Sequence, residues 1–250
     1  MSEFDALAPT YDSDFTAQPI GEILRARVHD RLLRHFSAND HLLEMGCGTG
    51  EDALFLSQQG IHVTATDASD EMLAVARKKT AQSDTVHVQH LNLANLPLRH
   101  ISSFDGAFSN FGALNCLTDW RPLAEWLSVR IETGGIVGLG IMSPYCVWEF
   151  GWHALHWKWD IALRRLRGDT FGDLQITYPT VKRISDDFAP YFERVHLMPL
   201  GLFLPTSTLF DVVQKRGWLM RPLISLENRF QDASALAMLA DHYWIEFRRI

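Results

Sequence analysis

Glu44-Met45-Gly46-Cys47-Gly48-Thr49-Gly50 sets an acid and three alternating glycines between an apolar run and a helical pattern. His41, Leu42 and Leu43 close the apolar run, and Ala53, Leu54, Leu56 and Ser57 recur afterwards at helical spacing, so the glycines mark a strand-to-helix turn. Backbone free of side chains lets a ligand lie against such a turn. The spacing discriminates between ligands. Dinucleotide folds use G-x-G-x-x-G to seat a pyrophosphate on a helix N-terminus. Here the glycines alternate and Glu44 stands two residues before the first of them. Its charge would repel a diphosphate and suits an amino group or a sulfonium. The run 62–66 reads as a second strand with Asp67 at its carboxyl end, where a carboxylate accepts both hydroxyls of a ribose. The expected ligand combines a ribose with a positively charged tail.

Strand and helix alternate outward from this turn. Ile23, Leu24, Val28, Leu32 and Phe36 make 20–36 an amphipathic helix. Strands are predicted at 41–45, 62–66, 85–91, 104–110 and 136–142, and helices at 51–59, 69–80 and 122–131. The helix at 69–80 opens with Ser69, Asp70 and Glu71 and closes with Arg77, Lys78 and Lys79, matching the helix dipole. Such alternation calls for a parallel sheet with helices on both faces.

The glycine motif, Asp67, the pair Asn92-Leu93 after the third strand and the segment Phe104-Asp105-Gly106-Ala107-Phe108-Ser109-Asn110 together resemble the class I S-adenosylmethionine-dependent methyltransferases. The resemblance spans about the first half of the chain and is to the superfamily, not to one enzyme. It implies an α/β, Rossmann-like, seven-stranded, mostly parallel sheet with an antiparallel last strand and helical cap insertions. It implies S-adenosylmethionine as cofactor and S-adenosylhomocysteine as product. Gly46, Cys47, Gly48 and Gly50 would border the methionine part, Glu44 its amino group, and Asp67 with Ala68 the ribose. Asn92 and Leu93 would meet the adenine, Asn92 replacing the aspartate of many members and accepting the same bond without a charge. Ser109 belongs to the same face, Arg25 would hold the cofactor carboxylate, and Tyr11 lies in a lid-like N-terminal segment.

The second half changes character. Trp148, Trp152, Leu155, Trp159, Leu163 and Leu166 form a helical stripe in 145–167, followed by Arg164, Arg165 and Arg167. It reads as one or two helices inserted after the fifth strand. Beyond it come a helix at 181–190, a strand at 194–203, helices at 207–216 and 223–239, and a final strand at 242–247, the last two strands forming the antiparallel edge of the sheet. The chain thus reads as one domain over 1–250, with an N-terminal lid and helix at 1–36 and caps at 143–190 and 205–240. The stripe admits three readings: core packing, the wall of a pocket for an apolar or aromatic acceptor, or peripheral contact with a membrane surface.

Methyl transfer from a sulfonium needs positioning and exclusion of water more than a catalytic side chain. A phenol or carbon acid would also need a base, and His153 and His156 are the candidates, with Asn110 as an orienter at the end of the fourth strand. Neither His153–His156 nor His87–His90 has a third metal ligand at a recognisable spacing, so no metal is expected. Ser109-Asn110-Phe111-Gly112 lacks the prolines of the Asn-Pro-Pro-Tyr motif of nucleic-acid amino-methylating enzymes. A net charge of −7 argues against a phosphate-backbone partner. Three scattered cysteines and an acidic start without a secretory pattern point to the cytoplasm. The expected activity is methyl transfer to a small, hydrophobic or aromatic acceptor. The alternatives are an RNA or protein acceptor, or a cofactor-binding interaction protein without turnover. Oligomeric state is not legible.

Overall fold

The computed structural model describes residues 4–97, 103–206 and 217–250. The helix expected at 207–216 lies outside the described residues. The strands are β1 (His41–Met45), β2 (His62–Asp67), β3 (Val86–His90), β4 (Phe104–Ser109), β5 (Ile131–Met142), β6 (Asp169–Phe171), β7 (Leu174–Ile176), β8 (Phe192–Leu200) and β9 (His242–Arg249). The α-helices are α1 (Pro19–Leu32), α2 (Glu51–Gln58), α3 (Asp70–Lys79), α4 (Arg121–Ser128), α5 (Val147–Leu155), α6 (Trp159–Ala162), α7 (Arg164–Arg167), α8 (Val181–Phe188) and α9 (Gly217–Arg229).

Seven strands form one sheet in the order β3-β2-β1-β4-β5-β9-β8. β1 to β5 pair in parallel. β9 runs antiparallel to both of its neighbours, so β8 at the edge points the same way as β1 to β5. The antiparallel edge is thus made by one reversed strand, the last. This is the Rossmann-like sheet with a reversed final strand that the sequence led us to expect. The carboxyl ends of β1, β2, β4, β5 and β8 open on one side, where ligands of such sheets bind.

Period-two alternation splits the core into two layers. On β9, Tyr243, Ile245 and Phe247 join a cluster with Trp120, Leu123 and Phe188 under α4 and α8. Trp244 points the other way, into a cluster with Leu24, Val28, Leu56 and Leu73 under α1, α2 and α3. Ser69 caps α3, accepting from Met72 N at 3.2 Å.

The caps are more broken than their hydrophobic pattern suggests. The 145–167 stretch divides into α5, α6 and α7: the chain turns at Trp157 with φ 59 between α5 and α6, and α6 and α7 part at Leu163. A short hairpin, β6 and β7, follows. In place of one helix at 223–239, α9 begins earlier, at Gly217, ends at Arg229, and is followed by a 3-10 turn, Ser234–Leu239. Arg165 ties the cap to the sheet. Its guanidinium donates to Glu149 Oε2 at 2.9 Å, Asp241 Oδ1 at 2.6 Å and the Ser143 carbonyl at 3.1 Å. No described helix is long and apolar enough to cross a membrane.

Candidate active site

The glycine turn joins β1 to α2. Gly46 has φ +75, and a Cβ there would stand 2.2 Å from Ala113 Cβ, so only glycine fits. Gly48, at φ +52, turns its bare Cα toward the ring of Tyr11, 3.8 Å from where a Cβ would lie. Its amide donates to Asp67 Oδ2 at 2.9 Å, and Ser69 N donates to Asp67 Oδ1 at 2.9 Å. Asp67 is therefore fixed at the end of β2, facing the turn. Burial raises its pKa, and the backbone donors work against that rise.

Glu44 is buried, and its Oε2 has no hydrogen-bond partner among the described residues. Burial pushes its carboxyl well above the usual range; the neighbouring charge of Asp52 adds to this and that of Arg25 opposes it. Arg25 donates from Nη1 to Asp52 Oδ1 at 2.7 Å and stands 4.9 Å over the Phe111 ring. Its Nε is also buried without a partner among the described residues. A buried acceptor lacks a donor, and a nearby buried donor lacks an acceptor. The ammonium and carboxylate of an amino-acid group supply both, so the residues present fit the methionyl end of S-adenosylmethionine.

Asp52, in the first turn of α2, was not singled out in the sequence. It is nevertheless the centre of the site's ion network. Besides Arg25, it accepts from His29 Nε2 at 2.7 Å and from Asn110 Nδ2 at 3.1 Å. Although burial acts to raise it, the Arg25 and His29 contacts hold its pKa far below the usual carboxylate range. Asn110 is thus brought to the site as a strut between β4 and α2, its Oδ1 accepting from Phe111 N at 3.0 Å. Ser109 donates to the Met45 carbonyl at 2.7 Å, fastening the end of β4 to that of β1. Burial raises the Cys47 thiol well above its ordinary value, which keeps it protonated.

Asn92 follows β3 beside Asp67, but its side-chain oxygen accepts from Ala94 N at 2.9 Å in a turn. Leu93 packs partly against the core, and Ala68 is exposed with its carbonyl 3.2 Å from His90 Nε2. The N-terminal segment covers the turn. Thr49 Oγ1 donates to Asp12 Oδ1 at 2.6 Å, Lys79 Nζ pairs with Asp12 Oδ2 at 2.8 Å, and Ser69 Oγ donates to Asp5 Oδ1 at 2.6 Å.

Toward the caps, His156 Nδ1 donates to the Trp152 carbonyl at 2.7 Å, and the residue is exposed. His153 keeps a buried Nδ1 without a partner among the described residues, and burial lowers its pKa. The contacts of both stay within the cap. A third histidine lies closer to the cofactor residues. His242 opens β9 beside Met142 of β5, meets Phe111 edge-on at 5.9 Å, and has Nδ1 3.3 Å from Asp241 Oδ2. Only the reversed direction of β9, invisible in the local sequence, brings it there. A cavity of about 280 Å³ lies within the cap, lined by Tyr145, Val147, Phe150, Leu166 and Leu239 together with Glu149 and Arg165. A second, of about 390 Å³, lies between α5 and Leu202-Phe203.

Residues 42–135 match the family described as "Methyltransferase domain". The demethylmenaquinone methyltransferase of Clavibacter sepedonicus is 32% identical over 141 residues, 56% of this chain and 57% of that protein. The chain thus spans little more than half the length of that relative. An S-adenosylmethionine-dependent methyltransferase from Mesorhizobium loti superposes with TM-score 0.59 at 19% identity, covering 94% of this chain and 99% of that one. Phosphoethanolamine N-methyltransferase 2 of Haemonchus contortus, solved with S-adenosyl-L-methionine, superposes with TM-score 0.57 at 15% identity over 90% of this chain and 52% of that one. The matched family, the sheet order and the alternating-glycine turn agree: residues 42–135 match a methyltransferase domain, and the fold is that of the S-adenosylmethionine-dependent methyltransferases.

Proposed function

We propose that this protein transfers the methyl group of S-adenosylmethionine to a small apolar or aromatic acceptor held beneath the cap. The observation that carries the cofactor half is the pair of complementary orphans, Glu44 Oε2 and Arg25 Nε, beside the glycine turn. When bound, S-adenosylmethionine supplies a methyl group already activated by its sulfonium. The chain's own residues do the rest. Glu44 accepts from the amino group, Arg25 meets the carboxylate while Asp52 fixes its guanidinium, and Asp67 holds the ribose against the Gly48 amide. Tyr11 and the segment around it exclude water.

The acceptor half rests on the two cavities beyond β5 and β8. Apart from the Glu149–Arg165 ion pair in the first, their walls are mainly tyrosine, valine, phenylalanine, tryptophan and leucine, which favour an apolar molecule. A quinol-like acceptor suits this site, as the name of the Clavibacter relative suggests for that protein. A phenolic acceptor must lose a proton, and His242, whose Nδ1 lies 3.3 Å from Asp241 Oδ2, is the group we assign to take it; His153 is the second candidate. Asn110 acts through Asp52 as a positioning residue.

The test has two arms. Calorimetric titration with S-adenosylhomocysteine and with NAD should give binding to the first alone; preference for NAD overturns the cofactor assignment. Transfer of labelled methyl to a panel of demethylated quinols, simple phenols, RNA and protein should label the quinols or phenols. Label confined to RNA or protein would remove the small-acceptor reading.

A further inference from the structure

We infer that the cap docks on the surface of an anionic phospholipid bilayer. Leu155 and Trp157 are 75% and 82% exposed, and Val147, Phe150, Trp159 and Leu166 are between 42% and 55% exposed. Side chains of this kind and number on three successive short helices do not serve the core. Trp157 sits at φ 59, a left-handed conformation that strains a bulky residue and that glycine would adopt freely. The turn thus spends backbone strain on presenting an indole to the outside.

Charge distinguishes lipid from protein as the occupant. Residues 144–168 hold four cations, Lys158, Arg164, Arg165 and Arg167, against two carboxylates, Glu149 and Asp160, in a chain whose net charge is −7. Glu149 and Arg165 are both buried and bonded to each other, so neither counts at the surface, where Lys158, Arg164 and Arg167 stand against Asp160 and Asp169, a surplus of one cation. Lys158 and Arg167 flank the exposed aromatic residues, with Asp160 3.4 Å from Arg167. Tryptophan with lysine and arginine is the composition that settles at a headgroup boundary, and cations there are drawn to anionic lipid. Protein interfaces instead deplete lysine at their centre. The cavity between α5 and Leu202-Phe203 shares Leu155 with this face, so an acceptor dissolved in the bilayer would have a short path to it.

The whole chain is mixed with vesicles of phosphatidylcholine alone, or with a third phosphatidylglycerol, and sedimented. Binding to the anionic vesicles with a blue shift of tryptophan emission is expected. The double variant Leu155→Ser, Trp157→Ser should lose about tenfold or more of its partition, and Lys158→Ala about fivefold on anionic vesicles only. Val129→Ser, at a side chain 60% exposed but preceding β5 at the opposite end of the sheet, should bind like the parent. A parent chain that stays in the supernatant with both vesicles, or a double variant that binds unchanged, overturns the inference. So does a dimer in gel filtration that the double variant splits while vesicles are ignored. The readout involves no turnover, so it stands or falls apart from methyl transfer.

Discussion

Replacing Glu44 by glutamine should strengthen the empty protein and weaken its grip on the cofactor, two effects of opposite sign from one atom. Glu44 Oε2 is buried without a partner among the described residues, and burial raises its pKa well above normal. An acid whose folded pKa is raised imposes no penalty below its unfolded pKa of about 4.3. The penalty grows as pH rises from there toward the folded value. Burying such a group unpaired costs about 2 kcal/mol. For a chain of this length that is a rise in Tm of about 4–8 °C for Glu44→Gln at pH 7, shrinking to near zero at pH 4. Binding moves the other way. Losing a charge-assisted bond to the ligand's amino group is worth about 2 kcal/mol, or about thirtyfold weaker affinity for S-adenosylhomocysteine. Scanning fluorimetry of the empty protein at both pH values, with calorimetry at pH 7, reads both quantities. The reasoning fails if the variant melts lower at pH 7, if its Tm difference is the same at pH 4, or if affinity changes less than threefold.

Gly46→Ala puts a Cβ 2.2 Å from Ala113 Cβ on a left-handed residue, and a loss of about 3 kcal/mol should appear as a lower urea midpoint. Asp52→Asn leaves Arg25 without its charged partner and should cost about 3–5 kcal/mol. Because the folded pKa of Asp52 is depressed, its contribution is present above the unfolded value of about 3.9 and lost as pH falls through the folded one. The parent should therefore lose more stability than the variant below pH 4, and parallel acid melting curves would refute this. Arg165→Ala strips both Glu149 and Asp241 of a buried cation; hydrogen exchange should accelerate in α5 to α7 with β1 to β4 still protected. Asp67→Ala should weaken S-adenosylhomocysteine about tenfold or more by equilibrium dialysis, and unchanged affinity would remove Asp67 from the ribose.

The first five strands and the glycine turn were legible because each carries a local signal: apolar runs of strand length, punctuated by glycine or a capped helix. Ser69 announced α3, and the cap hydrogen bond is there. What escaped the sequence was long-range. Asp52 looks like an ordinary acid at a helix start, and nothing local says that α1 delivers Arg25 and His29 to it or that β4 delivers Asn110. His242 likewise joins the candidate site only because β9 inserts backwards between β5 and β8. The three-residue strands β6 and β7 are too short for their alternation to register. The helix 223–239 failed as one piece because Arg229 ends it, although its apolar spacing continues into a tighter turn.

On the proposed function, the two ligands would enter through covers of different strength. The N-terminal cover holds only a 3-10 turn and a π-turn, neither with a buried residue, and fastens by Asp12, Asp5 and Tyr11. Part-exposed pairs of that kind contribute about 0–1 kcal/mol each, so the cover opens readily. The cap is anchored by Arg165, whose bonds to Glu149 and Asp241 are buried. On that proposal, cofactor exchange would require loosening of residues 4–16. The Arg165 ion pairs would meanwhile hold α5 to α7, and the cavity they line, in place. A weak cover over the cofactor and a rigid one over the acceptor would suit the proposed activity, in which the methyl donor is renewed each turnover while the acceptor is drawn from the surface proposed for the cap.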